Sequence, residues 1–383
     1  MKTHFSRSTN KRITMVIMMA FAVVLCSFPA SGALGRDRYL LLDSRIVEKT
    51  ENAKLSLGTV KKDQRNPLFK EDRPWEPRFD NVYANVIYDR EDNLYKCWYS
   101  PFIIDKRTTS TPEEERNPTA HKYMKVKPRG REMGVCYATS KDGINWDKPE
   151  LGLVEFEGNK ENNIILRGGH FKGVFSGPHG ANVFKDVDES DPAKRYKMFF
   201  KGSDMSVSFS PDGIRWSQPI ECPQIDADGD SHNNAFWAPG LGKYIGITRE
   251  NYGEPDVRTV ARTESTDFVN WTKAEIVLKG LEPRLQTHDM VVFPAGGVYI
   301  GLLGMMDFPD FQSTDHTKQH VELAWSPDTV EWHRIQPGTP FIGHSPAGKE
   351  VYGKMPYDWG TIFASAPIFL DNEVQIYYGA CDW

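Results

Sequence analysis

Four carboxylates, Asp80, Asp230, Glu250 and Asp289, stand at the ends of short apolar runs, each with an amide, imidazole or guanidinium close by. Asn81 follows Asp80, His232 and Asn233 follow Asp230, Arg249 precedes Glu250, and His288 precedes Asp289. His179 and Asn182 in "GPHGAN", Trp75 in "WEPRFDN", Trp359 in "YDWGT" and Asp382 in "CDW" flank comparable runs. Two carboxyl groups, one ionised and one kept protonated by its surroundings, are the equipment for cleaving a glycosidic bond. Flat Trp faces suit sugar C–H groups, and Asp, Asn, His and Arg take hydroxyls by paired hydrogen bonds. The residue types therefore point to a saccharide. Blander roles stay open for each: Asp80 as a strand cap, Asp289 with His288 as a clamp, Asp230 as part of the solvated or calcium-holding loop "DADGD", and Glu250 in an ion pair with Arg249.

Such residues act together only if the elements bring them to one place, and an internal repeat supplies the frame. "ATSKDGINWDKP" returns as "SFSPDGIRWSQP", then as "RTESTDFVNWTKA" and "AWSPDTVEWHRI", with Trp146, Trp216, Trp271 and Trp332 spaced 70, 55 and 61 residues apart. A period of about sixty fits one four-stranded propeller blade with its loops. Before each phrase lies a hairpin pattern, as in "NVYANVIYDREDNLYKCWYS" and "MVVFPAGGVYIGLLGMM", and "APIFLDNEVQIYYGACDW" adds a fifth. The repeated phrase itself reads as a structural turn whose Trp packs the outer strand. The expectation is an all-β, five-bladed β-propeller of four-stranded antiparallel blades, the last one incomplete and the C-terminus cut short. "RYLLLDSRIVE" is a candidate ring-closing strand. Residues just before each inner strand and just after each second strand should then share one funnel mouth, which gathers the carboxylates and histidines above. The charged, Pro-containing insert from Asp105 to Glu132 should loop out of the first blade.

Composition agrees with β structure: aromatics are 12%, and Gly and Pro number 31 and 25 in 383 residues. The N-terminus differs. Lys2, Arg7, Lys11 and Arg12 precede an apolar run from Ile13 to Phe28 and the small residues of "PASGALG", the layout of a secretory signal peptide over residues 1–33. The run is shorter than the ~20 residues that span a bilayer, so no integral membrane segment is expected after cleavage. Removing those four positive charges takes the formal balance from −5 to −9, which disfavours nucleic acid and anionic membranes as partners. A secreted or periplasmic location follows, with residues 34–79 as an N-terminal segment and 80–383 as the propeller. Cys97, Cys136, Cys222 and Cys381 match no zinc spacing and read as buried free thiols.

The five hairpins, the Ser-x-Asp-Gly-x-x-Trp turns and the Asp opening the first inner strand resemble the five-bladed propeller glycoside hydrolases of families 43 and 32, particularly exported bacterial relatives. The resemblance implies a secreted hydrolase that removes terminal sugars from oligo- or polysaccharides. It implies a base or nucleophile at Asp80 and a general acid on the third blade, at Glu250 or Asp230. It implies no required cofactor, although some relatives hold calcium in the funnel. The second blade departs from the pattern, since "GPHGAN" has no carboxylate, and Asp289 with His288 is the candidate replacement. A non-catalytic carbohydrate-binding propeller is the alternative from another class. A sialidase-like propeller is a third reading, but the turn motif is one residue shorter than that group's, and no set of three Arg with a Tyr nucleophile stands out.

Overall fold

Alternating apolar stretches interrupted by turn residues pair locally, because a tight turn lets both strands exchange backbone hydrogen bonds at little entropic cost. A computed structural model describes residues 40–42, 45–79, 82–110, 112, 130–168, 177–253, 257–280, 282, 284–307, 318–346 and 356–381, all within one compact unit spanning Gly32–Trp383. Residues 1–33, read above as a signal peptide, and most of the charged insert lie outside the described residues.

The first sheet holds β1 (Tyr83–Asp89), β2 (Leu94–Ser100), β3 (Phe102–Asp105), β4 (Arg131–Ser140), β5 (Trp146–Asp147) and β6 (Ile164–Arg167), with β2 between β1 and β4. The second runs β7 (His179–Lys185), β8 (Tyr196–Lys201), β9 (Met205–Ser210), β10 (Ile220–Glu221). The third runs β11 (Asn234–Ala238), β12 (Lys243–Tyr252), β13 (Val257–Ser265), β14 (Glu275–Lys279), and the fourth β15 (Leu285–Ala295), β16 (Val298–Asp307), β17 (Lys318–Ser326), β18 (His333–Ile335). A fifth unit is one long hairpin in which β19 (Thr361–Ala364) pairs with β22 (Tyr378–Cys381) and β20 (Ile368–Phe369) with β21 (Val374–Gln375). Among the described residues helix is confined to short turns such as α1 (Lys106–Thr109).

The all-β propeller is therefore present, but with four full blades rather than five. The phrase that turns a third strand into a fourth occurs at Ser140, Ser210, Ser265 and Ser326, one copy for each full blade. The ring still closes, because β1 lies against β7 on one side and against β19 and β22 on the other. Residues 45–79 form no strand, and Leu40 and Leu42 pack on Ala295, Val298, Ile300 and Trp325 of the fourth blade. Residues 58–71 run beside the fifth unit instead, where the Lys62 ammonium meets Asp358 at 2.5 Å.

Each seam between blades is its own apolar core, so most strands are buried on both faces. Trp98 and Tyr137 meet Ala181, Met198 and Phe200; Phe199, Met205 and Val207 meet Ala235, Tyr244 and Trp271; Ile245 and Ile247 meet Met290 and Leu303. The repeated turns are built alike. Ser210 Oγ accepts from Gly213 N (2.8 Å), Asp212 Oδ1 accepts from the amides of Ile214 and Arg215 (2.8 and 2.7 Å), and Trp216 Nε1 donates to Gly213 O (3.1 Å). Ser140, Ser265 and Ser326 open equivalent turns. Cys97, Cys136, Cys222 and Cys381 are all buried.

Candidate functional site

In an antiparallel hairpin the start of the inner strand and the end of the second lie side by side, as the pairs His179 with Lys201, Leu285 with Asp307 and Thr361 with Cys381 record. The mouth of the funnel is made of these ends. Two bulges shape it. The β7–β8 register shifts between His179 and Asn182, and the β15–β16 register shifts between Thr287 and Asp289, leaving His288 as the extra residue. A bulge bends its strand and re-aims a side chain. Gly180 makes the first bulge possible: at φ +59° a Cβ there would lie 1.6 Å from Ser231 O, so only glycine lets the loop before β11 come this close.

That loop delivers Asp230. Its Oδ1 is 2.7 Å from His179 Nε2, and its Oδ2 accepts from Arg249 Nη2 at 2.8 Å. Burial works against the charge, but His179 and Arg249 outweigh it and hold the carboxyl well below the usual carboxylate range. The side chain nevertheless keeps 44% of its surface accessible. Asp289 is enclosed by contrast, 2% exposed at the side chain, with Oδ1 3.1 Å from His288 Nδ1 and accepting from Gln319 Nε2 at 2.6 Å. Gly304 leaves room for it, since a Cβ there would lie 2.3 Å from Asp289 Oδ1.

His232 is fully buried, stacked on Tyr83 at 5.1 Å between ring centres, and burial pushes its imidazole down to about 4. Its Nδ1 has no hydrogen-bond partner. His288 is pushed in the same direction, by burial first, and packs on Phe363. His179 meets Tyr83 edge-on at 5.6 Å. Tyr83 thus joins histidines of neighbouring blades.

Glu250 follows Arg249 on β12, so the two side chains leave opposite faces of the strand. It lies by the acidic loop, where burial and the nearby Asp228 raise its pKa. The same loop carries Asp230, and Gly229 N donates to Arg249 O at 3.1 Å.

Other expected ligands are held in the walls. Asn182 donates to Asn85 Oδ1 (2.9 Å) and accepts from Ala235 N (2.9 Å), tying three inner strands together. Asn233 accepts from Thr248 Oγ1 (2.7 Å) and donates to Gly229 O (3.1 Å), and Trp75 donates to Asn163 Oδ1 (2.7 Å) within the first blade's core. Lys318 Nζ stands 3.2 Å above the Trp359 ring. Asp80, Asn81 and Asp382 lie outside the described residues.

Arg258 and Gln319 are the residues that reasoning from first and second strands missed. A third strand, antiparallel to the second, starts at the same mouth, so the first residues of "VRTVAR" and "KQHVEL" carried that signal. Among the described residues no group of three or more His, Cys, Asp or Glu is arranged to hold a metal. Calcium takes six to eight oxygen ligands, whereas Asp230 and Asp289 are already engaged by His179, Arg249, His288 and Gln319, so these residues do not fit it. A cavity of 1590 Å³ lies elsewhere, between residues 58–71, the first blade and the fifth unit, and none of the funnel histidines lines it. No described helix is long and apolar enough to cross a membrane.

No protein-family model and no curated protein sequence matches the chain. Solved structures match in fold. A glycosyl hydrolase from Bacteroides ovatus is 15% identical, with a TM-score of 0.51 over 86% of this chain and 93% of that one. A protein from the GH130 family of mannoside phosphorylases, which contains glycoside hydrolases that target β-1,2 mannosidic linkages in Candida mannan, is 15% identical, with a TM-score of 0.54 over 90% and 94%. The protein BT0996, solved as an RGII complex, is 15% identical, with a TM-score of 0.52 over 79% and 85%. The chain thus has the β-propeller fold of proteins that include glycoside hydrolases.

Proposed function

We propose that this chain is an exported glycoside hydrolase of the family-43 and family-32 type, working on terminal sugars of oligo- or polysaccharides in its funnel. The observation that carries the reading is Asp230: an ionised carboxylate held by His179 at 2.7 Å and Arg249 at 2.8 Å, yet accessible at the mouth. A carboxylate kept charged and open to a ligand can serve as base or nucleophile. Glu250, raised by burial and by Asp228 on the loop that leads to Asp230, is the matching acid. Asp289 is too enclosed to meet substrate directly and acts as a positioning group through His288. A first-blade role for Asp80 belongs to the same proposal. The fold's occurrence among glycoside hydrolases supports the substrate class.

The test is product analysis with the chain and its Asp230→Asn, Glu250→Gln and Asp80→Asn variants on a panel of nitrophenyl glycosides and natural oligosaccharides. Release of one sugar is expected, falling about 10²–10⁴-fold in Asp230→Asn with thermal stability retained. No release from any substrate, with glycan binding intact, would replace the hydrolase with a binding propeller. That outcome has a motive in the second blade, which places His179 where the resembled families carry a carboxylate.

A further inference from the structure

The funnel holds two guanidinium groups close together. Arg249 on β12 and Arg258 on β13 are diagonal neighbours on one face, because Asn251 pairs with Arg258 and side chains alternate along a strand. Arg249 is 7% exposed and spends Nη2 on Asp230, while its Nε is buried without a partner. His232 Nδ1, on a residue 1% exposed, is likewise unpartnered. The enclosed carboxylate Asp289 is already engaged by His288 and Gln319. Burial and the charge of Arg249 push Arg258 down to about 10.

Two cations desolvated side by side disfavour one another, and an incoming anion relieves both the repulsion and the unpaired donor. A sugar hydroxyl can accept from that donor but leaves the repulsion between the two charges in place. The planar fork of arginine matches a carboxylate by two parallel hydrogen bonds. We propose that the Arg249 and Arg258 pair binds the carboxylate of an acidic sugar, so that the saccharide taken by the funnel carries a uronic-acid residue. This rests on the glycoside reading above and narrows its substrate class.

The experiment is calorimetric titration of the full chain with two disaccharides of identical linkage, one of galacturonic acid and one of galactose, and with inorganic phosphate. The acidic disaccharide is expected to bind about tenfold tighter or more than the neutral one. Arg258→Gln should erase that preference by weakening the acidic disaccharide about tenfold more than the neutral one. Rising salt should shrink the preference in the unsubstituted chain, a readout that stands even if the variant does not fold. Equal affinity for both sugars, a preference indifferent to salt, or equal weakening of both ligands in Arg258→Gln would overturn the assignment. So would phosphate binding without any preference for the acidic sugar. Cleavage or binding of the neutral disaccharide alone overturns only this inference, whereas no interaction with either, together with no product from the wider panel, overturns the glycoside reading as well.

Discussion

Asp230, Glu250 and Asp289 share one chemical group and differ in what surrounds it. Asp230 meets two cationic or polar nitrogens and is held charged; Glu250 meets the acidic loop and is held toward its protonated form; Asp289 is closed in by a histidine and an amide. Environments that push two carboxyl groups apart assign acid and base. The expected pH profile follows. Asp230 stays ionised far into acid, while Glu250 must keep its proton, so kcat/KM should fall on the alkaline side as Glu250 ionises. Measured against pH, Glu250→Gln should lose that alkaline limb; a limb that survives unchanged would remove Glu250 from the acid role.

At the scale of elements, two extra residues in otherwise regular ladders aim the site. The bulge after His179 turns on Gly180, whose missing Cβ admits Ser231. Gly180→Ala should therefore cost about 3 kcal/mol or more of folding stability, combining a left-handed backbone with a hard clash. Denaturant unfolding checks this, and in whatever fraction still folds, activity should drop because His179 and Asp230 no longer meet. A change under about 0.5 kcal/mol would mean that the loop adjusts freely. The turns at the far ends of the hairpins serve a different purpose. Asp89 receives Lys96 (2.8 Å) and Tyr196 of the next blade (2.7 Å), and Asp186 receives Lys197 (2.9 Å) and Tyr244 (2.6 Å), a clasp repeated across two seams.

The whole molecule is a ring of separately packed seams, and its acid stability combines two kinds of group. His232 is pushed down to about 4 by burial, below its unfolded value, so the unfolded chain binds a proton that the folded one refuses. Stability should accordingly decline as pH drops from about 6.5 to 4. Asp267, in a repeated turn, is lowered to about 2; burial opposes its charge, but the amides of Asn270 and Val269 and the Asn270 side chain outweigh it. Its contribution is present above the unfolded carboxylate range and is lost as pH falls from about 4 toward 2. Thermal melts across pH should show both declines, with His232→Gln flattening the upper window and Asp267→Asn the lower. A melting temperature level from about pH 7 to 4.5 would contradict the buried neutral His232.

The repeat, the hairpins and the strand ends that meet at the mouth were legible in the chain, because period-two alternation, turn residues and the Trp phrases are local signals. So were His179, Asp230, Arg249, His288 and Asp289, which sit at strand ends that a hairpin must bring to one mouth. Other features depended on contacts distant in sequence. Whether an amide such as Asn182 faces substrate or clasps Asn85 is set by a neighbouring blade, and the packing of Leu40 on the fourth blade joins residues far apart in the chain. Arg258 lies at the start of a third strand, and only its register against β12 puts it beside Arg249. The all-β repeat and the kinds of group at the mouth are thus written in the order of the residues, since both follow from local periodicity. Which carboxylate is charged and which is enclosed belong to the folded ring, since burial and pairing arise only when distant strands meet.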